Sequence, residues 1–335
     1  MIFSDCIIDK DNLYAFSKYC NCLIKYNTKD GKSLFLGMIP NQSETYGLVS
    51  KMFKYEDRLL LVPNNASAIY EFDLNNNSWK EIYINDATTK NKFATALIYY
   101  NKVVMLGATY KGIVIYNFEN GEVSYFTKLH KFMSAKSSND IFCRDYAKMD
   151  ENSILIPSCN SNKIIKLNLF NMKFEVWDIG KPSDTFESIY YEHDYCYITS
   201  RNENKLYIID IKKNQLREIA LDASDICYGH YCDIIKKDNK IILLALNEEK
   251  SCEYDLISND IKYNNRRYYI YNKMNDVIIV EDKNHNIIIS TTEKEIKIDK
   301  AQYGLGMINF DVCMFYNEDT DYTLERFSNV LNLNG

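Results

Sequence analysis

Apolar residues along this chain come in short runs, each closed by a polar turn, and the run-and-turn unit repeats. The clearest copy is Ala68-Ile69-Tyr70-Glu71-Phe72-Asp73-Leu74-Asn75-Asn76-Asn77-Ser78-Trp79. It consists of an apolar-rich strand, an Asp that ends it, a few polar turn residues, and a Trp that opens the next strand. The strand-ending Asp or Asn recurs at Asn27, Asp73, Asn117, Asn168, Asp210 and Asp255, roughly 45 residues apart. The repeat also aligns over longer stretches. Phe3 to Asn27 lies on Phe186 to Asp210 without a gap, and Leu61-Val62-Pro63 lies on Leu155-Ile156-Pro157 in an alignment that, with one insertion, brings Trp79 onto Phe174.

Within each unit the pattern predicts four strands bounded by polar turns. The second unit reads as strands at 47–53, 58–62, 68–72 and 79–84, and the fourth as strands at 141–148, 154–156, 164–167 and 174–179. A shorter seventh unit follows at 268–271, 277–280, 287–289 and 296–298. Four-stranded units of this length, repeated, specify an all-β fold, a β-propeller of seven four-stranded blades. Radial repetition is what shelters the faces and edges that a lone blade would expose. Six blades with an irregular tail is the alternative. No stretch of helical period separates the strands, which excludes all-α and α/β folds. Residues 1–300 therefore read as a single propeller domain. Residues 301–335 read as a strand and a short amphipathic C-terminal helix packed on the propeller, with Leu324, Phe327 and Val330/Leu331 on one apolar face.

Composition supports sheet. The 335 residues are 46% hydrophobic and include 28 Tyr and 16 Phe, residue types that suit pleated, half-buried surfaces. With only 4 Pro and 11 Gly, turns fall to Asn, Asp and Lys. The net charge of -6 and the lack of a basic run argue against a nucleic-acid partner. The ten Cys show no zinc spacing and several lie inside strand-like runs, so they read as reduced and structural. The first residues carry no charged and apolar leader and no window approaches a membrane span, so a cytoplasmic protein with no membrane partner is expected.

At Phe72-Asp73 and Trp79 the phrase resembles the second half of a Kelch repeat, an aromatic followed by Asp and then a Trp. The Kelch Gly-Gly pair is missing, its place taken by Pro63-Asn64-Asn65 and Pro157-Ser158-Cys159. The resemblance implies a divergent, Kelch-like propeller. Propellers host binding modules and enzymes alike, so the fold alone carries little function.

Candidate chemistry lies where the repeats disagree. Counting back from Pro63 and Pro157 puts Ser4, Ser50, Arg144 and Glu187 at one level of the inner strands. Arg144 and Glu187 fall on adjacent blades and can pair, either as a structural ion pair in a wet channel or as a polar site in which Arg144 grips an anion bidentately. The longest loop between blades, 129–139, precedes Arg144. Of four His, His230 enters an inner strand and could form an acid–base pair with Glu187. Asn65, Asn160 and Arg201 sit on loops between second and third strands, where Asn usually makes turns. Together with Tyr46, Tyr228 and Trp177 such amides also suit a sugar or peptide.

The candidate ligand residues are thus Ser50, Arg144, Glu187, His230, Asn65, Asn160 and Arg201. No catalytic motif, metal-ligand spacing or cofactor fingerprint is present, so neither metal nor cofactor is expected. The reading is a non-catalytic binding or scaffold propeller that recognises a protein or peptide partner, with carbohydrate possible, through its loop face. The alternative is a lyase or hydrolase of sugars or peptides with its site at the channel mouth.

Overall fold

The computed structural model describes residues 3–298 apart from 19–20, 31, 43–45, 87, 133–140, 222–230, 246–250, 265–266, 273–276, 282–286 and 291–294, and beyond Tyr263 it describes the backbone alone. The chain is an all-β propeller. Among the described residues the strands form seven four-stranded antiparallel sheets, spanning 3–37, 49–82, 93–126, 147–178, 186–220, 231–264 and 267–298, each with its strands in sequence order. The expected helix at 322–331 and the rest of 301–335 lie outside the described residues. Among the described residues no helix is long and apolar enough to cross a membrane.

The sheets belong to two compact units. One holds the first, second and seventh sheets, and the other holds the third to the sixth together with Val62–Ser67. Burial follows strand position. Second strands are enclosed, as at Arg58–Pro63 and Ser153–Pro157, whereas the fourth strand Gln215–Ala220 is almost wholly exposed. This is the order a face-packed sheet imposes, because inner strands are covered on both faces and the outermost strand meets water. In the second unit the apolar cores lie between consecutive sheets. Leu155 and Ile164 of the fourth sheet pack with Phe186 and Ile198 of the fifth, and Leu206 of the fifth packs with Ile234 and Leu243 of the sixth.

All six repeat anchors form side-chain-to-backbone turns. Asn27 Oδ1 accepts from Lys29 N, Asp73 Oδ1 from Asn75 N, Asn117 Oδ1 from Glu119 N, Asn168 Oδ1 from Phe170 N, Asp210 Oδ1 from Lys213 N and Asp255 Oδ1 from Ile257 N. In the first unit Trp79 packs on Phe72 with centroids 4.8 Å apart, and its Nε1 lies 2.9 Å from where a Cβ on Gly37 would stand. Trp79 therefore joins the second sheet to the first.

The turn carboxylates make the fold acid-sensitive. Backbone N–H groups hold Asp73 (Asn76, then Asn75), Asp210 (Lys213) and Asp255 (Ser258, then Ile257) below the ordinary carboxylate range. A carboxyl with a depressed folded-state pKa contributes stability above its unfolded pKa of about 3.9 and loses it as pH falls through the folded value. Urea midpoints are therefore expected to drop as pH falls below about 4. The variant with Asp73→Asn, Asp210→Asn and Asp255→Asn keeps the acceptor, as Asn27, Asn117 and Asn168 do natively. It should show a flatter acid dependence. Equal slopes for the two proteins would show that these turns do not carry the effect.

Two devices tie neighbouring sheets together. The first is a backbone bond from the start of one sheet to the end of the preceding sheet's second strand. Phe142 N donates to Ala108 O and Phe186 N to Ser158 O, each at 2.9 Å. The second is a buried Asp that reaches the next sheet. Asp5 Oδ2 accepts from Met52 N at 2.7 Å, and Asp145 Oδ2 accepts from Ile189 N at 2.9 Å and from Ser188 Oγ at 2.5 Å. These bonds confirm the register read from sequence, since Ser4-Asp5 corresponds to Arg144-Asp145, and Ser50 and Glu187 each stand two residues before the bonded N–H.

The fourth sheet departs from the expected pattern. Its first strand is only Ala147–Lys148, not 141–148. Upstream, Phe142 N is bonded to Ala108 O, Phe142 O accepts from Cys159 N, and the Asp145 carbonyl accepts from the Cys143 thiol. These groups serve neighbouring loops instead of a ladder with Ser153–Pro157. Arg144 consequently sits on an irregular segment instead of a strand.

Candidate functional site

The second unit gathers three of the candidate residues around one carboxylate. Glu187 is the extra residue of a β-bulge in Phe186–Glu192, where the pairing with Tyr195–Ser200 jumps from Phe186 to Ser188. A bulged residue is unpaired and its side chain is re-aimed, and here it is driven inward until only 1% remains exposed. The same jump occurs between Phe3 and Asp5 and between Tyr231 and Asp233, so Ser4 and Cys232 hold the matching position in their sheets.

Two guanidinium groups meet Glu187. Arg201 Nη1, from the turn after Tyr195–Ser200, donates to Oε2 at 2.8 Å. Arg144 Nε faces Oε1 at 3.2 Å, but the two atoms lack hydrogen-bond alignment and neither has another partner. The contact is thus Coulombic. Both arginine side chains reach solvent, at 35% exposure for Arg144 and 20% for Arg201. The carboxylate is sealed and its cations form the outer layer.

Cys159 closes the cluster, its thiol 4.0 Å from Glu187 Oε2. Burial, then the Glu187 charge, push this thiol up to about 12. Cys143 and Cys232 are also pushed well up, by burial first, and both feel Glu187. These are neutral packing thiols, unsuited to act as nucleophiles at neutral pH.

The other candidates separate from this cluster. Asn160 follows Cys159; its Oδ1 accepts from Ser158 Oγ at 2.7 Å, and its Nδ2 is a buried donor with no partner. Asn65 Oδ1 accepts from Asn91 N at 3.0 Å and so orders a loop. Ser50 lies half-buried in Val49–Tyr55 of the first unit. His230, Tyr228 and most of the 129–139 loop lie outside the described residues, apart from a turn of 3-10 helix at His130–Phe132. Trp177 is partly buried. It pairs with Ile164 within the sheet and packs against the core between the fourth and fifth sheets. Tyr46 is half exposed beneath Lys18 Nζ, 5.4 Å from the ring centre.

Asp145 and Cys159 were not singled out by the sequence reading. Asp145 had a signal, because Asp follows the bulge-level residue in Ser4-Asp5, Arg144-Asp145 and Cys232-Asp233. Cys159 had none, since a buried Cys in a loop looks like any small apolar residue.

No family model and no curated protein sequence matches the chain. Solved structures do. Virginiamycin B lyase from Staphylococcus aureus superposes with a TM-score of 0.60 at 13% identity, covering 88% of this chain and 92% of that one. A streptogramin B lyase gives 0.59 at 10%, covering 89% and 93%. BamB from Moraxella catarrhalis gives 0.55 at 11%, covering 89% and 88%. These neighbours are β-propellers, and at such identities the likeness establishes the fold alone.

Proposed function

We propose that this chain is a non-catalytic binding module that takes a protein or peptide partner on the loop edge carrying Arg144 and Arg201. The observation that carries the reading is the Arg144–Glu187–Arg201 cluster: a sealed carboxylate orders two guanidinium groups at the surface. Burying Glu187 costs desolvation that apolar packing would avoid, and pre-ordering two arginines lowers the entropy lost on binding.

The lyase or hydrolase alternative rests on Glu187 as an acid or base with His230. The enclosure of Glu187 between two arginines speaks for binding instead.

Affinity capture with the immobilised chain tests the proposal. The Arg144→Ala, Arg201→Ala double variant is expected to retain about tenfold less partner than the native chain. A control with Phe170→Ser and Ile257→Ser, exposed turn residues at 79% and 74%, should retain it fully. Undiminished capture by the arginine variant, or loss in the control, would overturn the assignment of this edge.

A further inference from the structure

We infer that the group gripped by Arg144 and Arg201 is a carboxylate, offered by a peptide terminus or an acidic side chain. This rests on the binding reading above and specifies its chemistry. Two observations converge. Among the described residues, Arg144 meets the Glu187 carboxylate through Nε, and its side chain is 35% exposed, which leaves its two Nη groups to serve as a fork. Such a fork matches the two oxygens of a carboxylate or the edge of a phosphate. Asn160 Nδ2, one residue beyond the thiol that touches Glu187, adds a buried neutral donor without a partner.

Charge decides between the two anions. The outward groups are two guanidiniums. Behind them stands the carboxylate of Glu187, 1% exposed. The cluster therefore carries one net positive charge, directed outward. A carboxylate brings one negative charge, which the exposed fork can meet. A phosphate brings about 1.5 to 2, and the excess would face the buried Glu187 carboxylate. Chloride matches the charge but cannot use the fork.

The test is a titration of the full chain followed by 15N–1H NMR of the arginine Nε groups, with propionate, inorganic phosphate and chloride at matched ionic strength. The Arg144 signal is expected to shift saturably with propionate, with a midpoint about tenfold below that of chloride. Phosphate should need a higher concentration than propionate. Arg144→Lys, which keeps the charge and loses the fork, should weaken propionate binding about tenfold. A propionate midpoint equal to that of chloride, a lower midpoint for phosphate, or full binding by the Lys variant would each overturn the inference.

Acetyl-Ala-Ala-Ala with a free terminus and acetyl-Ala-Glu-Ala-amide separate the two sources of carboxylate. Saturation by either supports the site, and saturation by neither overturns it. Partner capture is scored independently. Capture that depends on both arginines without propionate saturation keeps the binding reading and overturns the carboxylate. Propionate saturation with capture that is indifferent to the arginines does the reverse.

Discussion

Replacing Glu187 with alanine is expected to destabilise the protein by about 1–3 kcal/mol, the usual consequence of removing a charged hydrogen-bond partner. The loss arises because Arg201 Nη1 would lose its acceptor and Arg144 its counter-charge, beside the buried Cys159 thiol, although both guanidiniums keep partial access to water. The informative comparison is the triple variant Arg144→Met, Glu187→Leu, Arg201→Met, which replaces the whole cluster by apolar side chains of similar volume. Such replacements are neutral or stabilise by about 1–4 kcal/mol, since the desolvation of three charges is no longer required. Urea unfolding should therefore rank the triple variant at or above the native chain and the single variant below it. If the triple variant is as weak as Glu187→Ala, the cluster holds the sheets together and its retention needs no ligand to explain it.

The second large effect is expected at Asp145. Asp145→Ala removes the acceptor for both Ile189 N and Ser188 Oγ and strands a buried backbone donor, which costs about 3 kcal/mol. Asp145→Asn keeps one carbonyl acceptor and should cost about 1 kcal/mol. Trp177 lies in the fourth sheet against the core it shares with the fifth, so its fluorescence reports this junction. An Asp145→Ala midpoint within error of the native value would show that the fourth and fifth sheets are joined by their apolar core alone. Asp5→Ala probes the equivalent bond to Met52 N in the other unit.

The scaffold was readable from sequence wherever its cause is local. Each anchor bonds N–H groups two or three residues away, as Asp73 does with Asn75 and Asn76, so residue type and spacing already contain the turn. The seventh unit, placed at 268–271 through 296–298, appears as strands from Arg267–Asn272 to Glu295–Ile298. Arg144 and Glu187 could be paired because their register is counted from the repeat. What failed depended on partners distant in sequence. Residues 141–143 are an apolar run that reads as a strand, yet the backbone groups of Phe142 are taken by Ala108 and Cys159. Arg201 was placed on a loop, but no periodicity shows which way a loop side chain turns, so its bond to Glu187 was invisible.

The claim that this edge binds a partner and is not chiefly structural comes down to partner capture by the triple Arg144→Met, Glu187→Leu, Arg201→Met variant. The account expects a folded protein that retains about tenfold less partner than the native chain; a folded triple variant that captures partner as well as the native chain would contradict it.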